Sequence, residues 1–161
     1  MSAYIKLVNC RETKKDIELM DHSGAAFADT EALHRVMSEL WVQIKANKEM
    51  SQSLLASKLA VRFNYREPAG QITVDSRDGV DMKVVAGPCD VKPDVEMDMK
   101  SDVAHEFWLG KISVPMAILT GKIVAKGPVQ KALALLPAIK PAFAIYPEVY
   151  KKHINGVQTK V

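Results

Sequence analysis

The sequence has little of what most catalytic or metal-dependent folds require. Its 161 residues contain two cysteines, Cys10 and Cys89, too far apart in sequence to pair as metal ligands. That excludes a cysteine-rich metal module or a small disulfide scaffold, and free thiols are expected. The four histidines, His22, His34, His105 and His153, are scattered, with no HExxH and no His-Cys cluster. Charge of one sign is also scarce: 22 Lys and Arg against 19 Asp and Glu leave a net +3. No basic block with interleaved aromatics appears, which argues against nucleic acid as a partner. Long apolar runs are missing as well. The longest, over 129–145, is broken by Lys131, Pro137, Lys140 and Pro141, short of the roughly 20 apolar residues of a membrane-spanning helix. The N-terminus has no charged region followed by an apolar core and cleavage site, so a cytoplasmic protein is expected.

Recognisable catalytic motifs are absent too. The stretch FWLGKISVPMAILTGKIVAKGP, residues 107–128, holds Gly-Lys twice, but Lys111 and Lys122 are each followed by Ile. A phosphate loop needs GxxxxGK[ST], so neither step qualifies. Ser101 and Ser113 lie outside any GxSxG elbow, which leaves no candidate nucleophile. The spacing of Asp75, Asp78 and Asp81 fails the calcium-loop pattern. No catalytic residue, metal site or cofactor is expected.

What the chain does have is patterned apolar surface. Apolar residues make up 48% and charged residues 25%, the balance of one globular domain. Residues 1–28 show no settled period and are read as an extension, with 29–161 as the domain. Leu33, Val36, Met37, Leu40, Trp41 and Ile44 recur at helical spacing, which predicts a helix capped by Asp29 or Thr30 and ending near Asn47. After a short link the period changes to two: Leu59, Val61, Phe63 and Tyr65 alternate with polar residues. Turns at Pro68–Gly70 and Asp78-Gly79 then predict a meander, with strands beginning at Ile72 and at Val80, Met82 and Val84.

A fourth strand follows in DVEMDMKS, where Asp94, Glu96 and Asp98 share one face. These carboxylates are expected to pair across strands with Arg62 and Arg66. Ser101 is placed to cap a helix over 102–109 stopped by Gly110, and a second helix over 114–120 stops at Gly121. The run KIVAKG predicts a fifth strand and Pro128 the start of another helix. Pro137, Pro141 and Pro147 should divide the tail into short helical pieces.

The segment SDVAHEFWLGKISVPMAILTGKIVAKGPVQKALALL, residues 101–136, resembles the sterol-carrier-protein (type 2) family. Two Gly-Lys steps eleven residues apart carry the likeness, with Pro115 and Ala117 between them and Gly127 and Ala132 after. The order of upstream elements agrees from about residue 30. The resemblance implies an α/β (α+β) fold: a five-stranded, mostly antiparallel sheet with helices over one face and an apolar tunnel between. In that family the first strand lies beside the fourth.

The resemblance further implies a non-catalytic lipid-binding or lipid-transfer protein, taking a sterol, fatty acid, acyl-coenzyme A or isoprenoid. Leu33, Leu40, Trp41, Ile44, Phe107, Trp108, Met116, Leu119, Leu133, Leu136 and Phe143 are the residues expected to line the tunnel. The proline-divided tail is the expected lid, with Lys140, Lys151, Lys152 and His153 able to meet an anionic membrane surface. A second reading is an accessory protein whose apolar groove holds a partner in a lipid- or quinone-handling complex.

Overall fold

A computed structural model describes residues 26–159, with side chains to Ile154. Most of the extension expected over 1–28, and Cys10 with it, lies outside the described residues. Residues 26 and 27 are part of the core: Phe27 is fully buried, and the Ala26 N–H donates to Asp102 Oδ1 at 2.8 Å.

Helix α1 spans Thr30–Ala46, and Asp29 caps it by accepting the Ala32 N–H at 2.8 Å. Its apolar stripe is buried as the period requires: Leu33, Val36, Met37, Leu40 and Ile44 are fully enclosed. Each such side chain contributes about 1.5–3 kcal/mol of transfer free energy. The expected link after Asn47 is instead a helix, α2, Lys48–Ser57, capped by Asn47 through the Met50 N–H. It buries only Met50 and Leu54, too few positions to set a visible period.

Strands β1 (Ala60–Arg66), β2 (Gly70–Asp75), β3 (Lys83–Ala86), β4 (Val95–Lys100) and β5 (Ile123–Lys126) form one sheet in the order β3-β2-β1-β4-β5. Only β1 and β4 pair in parallel; the other neighbours are antiparallel. The third strand starts later than the alternation predicts. Asp78 accepts the Val80 and Asp81 N–H groups, which holds a turn there and leaves Val80 exposed.

The expected pairing of the acidic row with arginines is corrected by the register. Arg62 stands opposite Glu96, yet its guanidinium bonds the Val91 carbonyl and Thr73 Oγ1. Asn64 takes the carboxylates, donating to Glu96 at 3.0 Å and to Asp98 at 2.6 Å. Arg66 stands opposite Lys100, and Asp94, outside the strand, accepts the Ala60 N–H.

Helix α3 (Ser101–Trp108) begins at Ser101 itself. Its hydroxyl is not the expected cap, because it donates to the Pro68 carbonyl at 2.8 Å and ties the helix to the β1–β2 turn. Gly110 and Gly121 take positive φ after α3 and after α4 (Val114–Leu119), as helix stops do. Helices α5 (Val129–Leu133) and α6 (Leu136–Ile139) are short, but α7 runs Ala142–Thr159 with Pro147 inside it. The expected division at Pro147 does not occur. Proline forfeits one helical hydrogen bond, while Tyr146, Val149 and Tyr150 on either side are almost wholly buried and hold the helix together.

Polar groups fasten this side of the core. His105 Nδ1 lies 2.7 Å from the Tyr146 hydroxyl, and the Tyr150 hydroxyl donates to the Ala26 carbonyl at 2.7 Å. His34 Nε2 accepts the Gln71 N–H at 3.1 Å, and burial holds its pKa below the usual 6.5. The unfolded chain therefore binds a proton that folded His34 resists. Stability from this group is present above about pH 6.5 and is lost as pH falls from there through the depressed folded value. Burial lowers the His153 pKa as well, so the two add. Urea midpoints measured from about pH 7.5 to 5 should fall less steeply in His34→Gln, which keeps an acceptor, than in the wild type. Equal slopes would remove His34 from the account.

Candidate functional site

The apolar faces of sheet and helices do not meet completely. Along β1, Val61, Phe63 and Tyr65 form the floor of a cavity, extended by Val74 from β2, Met97 and Met99 from β4 and Ile123 from β5. Period-two alternation puts these side chains on one face of the sheet. Trp41 from α1 and Ala104, Phe107 and Trp108 from α3 make one wall. Leu54 and Ser57 of α2, with Ala132, Leu133, Leu135, Leu136 and Ile139, close much of the rest. The cavity has a volume of about 80 Å³. It is therefore narrow, and a bulky occupant must part its walls.

Aromatic rings organise the interior. Trp41 stacks on Phe63 at 5.9 Å and meets Trp108 edge-on at 6.0 Å; Phe63 stacks on Tyr65 at 6.4 Å. Such pairs add to the burial energy of the rings themselves. No charged side chain lines the space. Burial pushes the Tyr65 phenol far above its usual pKa, so it stays neutral. Ser57 is satisfied locally, donating to the Leu54 carbonyl at 2.6 Å. The chemistry available here is burial of hydrocarbon, with a few neutral polar groups. Among the described residues, no three His, Cys, Asp or Glu side chains gather as a metal site.

The side chains expected from the sequence to line a tunnel are distributed unevenly. Trp41, Phe107, Trp108, Leu133 and Leu136 border the cavity. Phe143 borders a more open groove alongside it, with Ile112, Pro115, Pro137 and Lys140, and meets Phe107 edge-on at 5.3 Å. Leu33, Leu40 and Ile44 are fully buried in the core and outside the cavity wall. Met116 and Leu119 point away: they are 56% and 78% exposed, because six-residue α4 turns Val114 and Ala117 inward. The floor was missed entirely, although the alternation of Val61, Phe63 and Tyr65 signals it. Ser57 and Leu54 were missed with the helix that carries them.

Among the described residues no single helix is long and apolar enough to cross a membrane. Residues 129–139 and 142–154 reach that length only together, bent by 79°.

A five-stranded mixed sheet with helices over an apolar cavity is the architecture of a sterol-carrier domain. The chain belongs to the SCP-2 sterol transfer family, whose sequence model matches residues 38–140. Among solved structures it is similar to the sterol carrier protein domain 2 of Helicoverpa armigera, at 19% identity and TM-score 0.54. That match covers 68% of this chain and 89% of the other. Sterol Carrier Protein 2 from Yarrowia lipolytica, in its apo form, matches at 22% identity and TM-score 0.46, over 56% of this chain and 79% of its own. A third match is the stereoselective inverting sec-alkylsulfatase Pisa1 from Pseudomonas sp., at 15% identity and TM-score 0.45. There the shared part is 55% of this chain and 16% of that one. No curated protein matches the sequence.

Proposed function

We propose that this chain holds an apolar lipid in the cavity between sheet and helices and carries it without transforming it. The observation that carries this reading is the lining: a continuous apolar surface from six or more elements with no charged side chain. Each methylene moved from water into such a space contributes about 0.8 kcal/mol. Ten carbons contribute roughly 8 kcal/mol before the entropy of association and the work of parting the walls are subtracted. Short helices suit that work. Helices α5 and α6 have five and four residues, so either can shift without disturbing a long packed stripe.

Natively purified protein, extracted with organic solvent and analysed by mass spectrometry, should yield lipid, and a fluorescent acyl probe should bind. Leu133, half-buried in the wall, is the position to disrupt. Leu133→Asp sets a carboxylate against apolar surface with nothing to pair it, and probe affinity should drop by at least about tenfold. A wild type that carries no lipid and ignores the probe would sink the reading.

A further inference from the structure

Among the polar atoms of the lining, one is wholly buried without a partner. Trp41 is 4% exposed, and its Nε1 is buried without a hydrogen bond. Indole N–H groups in protein interiors normally find an acceptor, because leaving one unmade is costly. A second donor lies along the same row of rings. Tyr65 is 6% exposed, and burial alone raises its pKa, with no hydrogen bond contributing. Both rings stack on Phe63, Trp41 at 5.9 Å and Tyr65, its plane nearly parallel at 9°, at 6.4 Å. The remaining hydroxyls sit elsewhere: Ser57 donates within its helix, and Ser76, whose backbone N–H donates to the Leu59 carbonyl, lies at the opposite end of β1 from Tyr65.

Resting on the carrier reading above, we infer that the cavity selects lipids bearing a neutral oxygen acceptor, a ketone, ester or hydroxyl. That oxygen enters the row of rings about Phe63, where it takes the Trp41 indole N–H or the Tyr65 hydroxyl. Both donors are neutral and no cationic side chain lines the space, so a carboxylate brought there would be desolvated without a counter-charge. Charged ends stay at the mouth, where Lys140 borders the adjoining groove.

The test compares 2-undecanone, undecane and undecanoate as competitors of a fluorescent apolar probe, using wild type, Trp41→Phe and Tyr65→Phe. Undecane corrects each variant for lost packing. The ketone's affinity, relative to undecane's, should fall about 5- to 10-fold in Trp41→Phe or in Tyr65→Phe, which removes one oxygen only. Undecanoate should be insensitive to both. A fall in either variant supports the inference and names the donor. If the ketone-to-hydrocarbon ratio is unchanged in both, polar selection is overturned while hydrocarbon binding still stands. If undecanoate weakens in step with the ketone, the restriction to neutral lipids is overturned. If wild type binds none of the three, the carrier reading itself fails.

Discussion

Gly127→Ala should leave the domain largely unfolded or insoluble, with a loss of at least about 3–4 kcal/mol. Two costs combine at this position. Gly127 has φ of +94°, where any side chain is strained by about 1–2 kcal/mol. More seriously, a Cβ there would stand 2.0 Å from the Asp94 carbonyl oxygen and 3.1 Å from its carbon. Those are backbone atoms immediately before β4, which cannot rotate away. Relief requires moving β5 off β4, and with it Ile123 in the cavity floor and the start of α5 in its wall. Gly121 provides the control. It also has positive φ, +81°, but nothing lies within 4 Å of its added Cβ. Gly121→Ala should therefore cost only the conformational term, roughly 1–2 kcal/mol. Urea titrations of both variants check this, and equal losses would show that the approach of Gly127 to Asp94 is not what matters.

This contrast also shows where sequence reasoning stops. Gly110, Gly121 and Gly127 look alike in the sequence, and the first two do stop helices. Only the third is pinned by a strand thirty-odd residues earlier, a contact no local pattern records. Periodicity read well where one face is buried and the other wet. The α1 stripe and the alternation of β1 were legible because burial repeats every turn or every second residue. It failed where few residues are buried, as in α2, and where a tertiary partner overrides a local preference. Ser101 has the composition of a cap but bonds Pro68, and Pro147 looks like a break but lies between buried tyrosines.

The candidate site was legible to a lesser degree, for a related reason. An amphipathic helix reveals its inner face, and that face is what the sequence shows. Whether an inner residue meets core or cavity depends on the height of the sheet beneath it. Leu33 and Leu40 share a helix face with Trp41, yet they are sealed in the core while Trp41 borders the gap. Leu33 sits over Gly70, whose missing Cβ would come within 2.5 Å of Leu33 Cδ2. There the sheet is low and the leucine fills it. Trp41 sits over Phe63 instead, and ring on ring holds the layers apart.

Trp108→Ala carries the second large effect, and it bears on the cavity directly. Trp108 is 3% exposed and touches four other rings: Trp41 at 6.0 Å, Phe107 at 4.8 Å, Phe143 at 6.1 Å and Tyr146, stacked, at 6.3 Å. It thereby joins α1, α3 and α7 beside the cavity. Truncation should cost about 3–5 kcal/mol in the unliganded protein, since the walls cannot fully collapse into the space left behind. The same space adds to the existing cavity, and an apolar ligand that fills it binds the folded state alone. Ligand at a hundred times its Kd restores about 2.7 kcal/mol. Heating curves should therefore show a Tm well below wild type without ligand and a larger upward shift on adding an apolar ligand such as undecane. A variant that loses stability but gains no more from ligand than wild type does would mean that the walls have closed. Trp108 would then be a prop for the core and not a partition of the cavity.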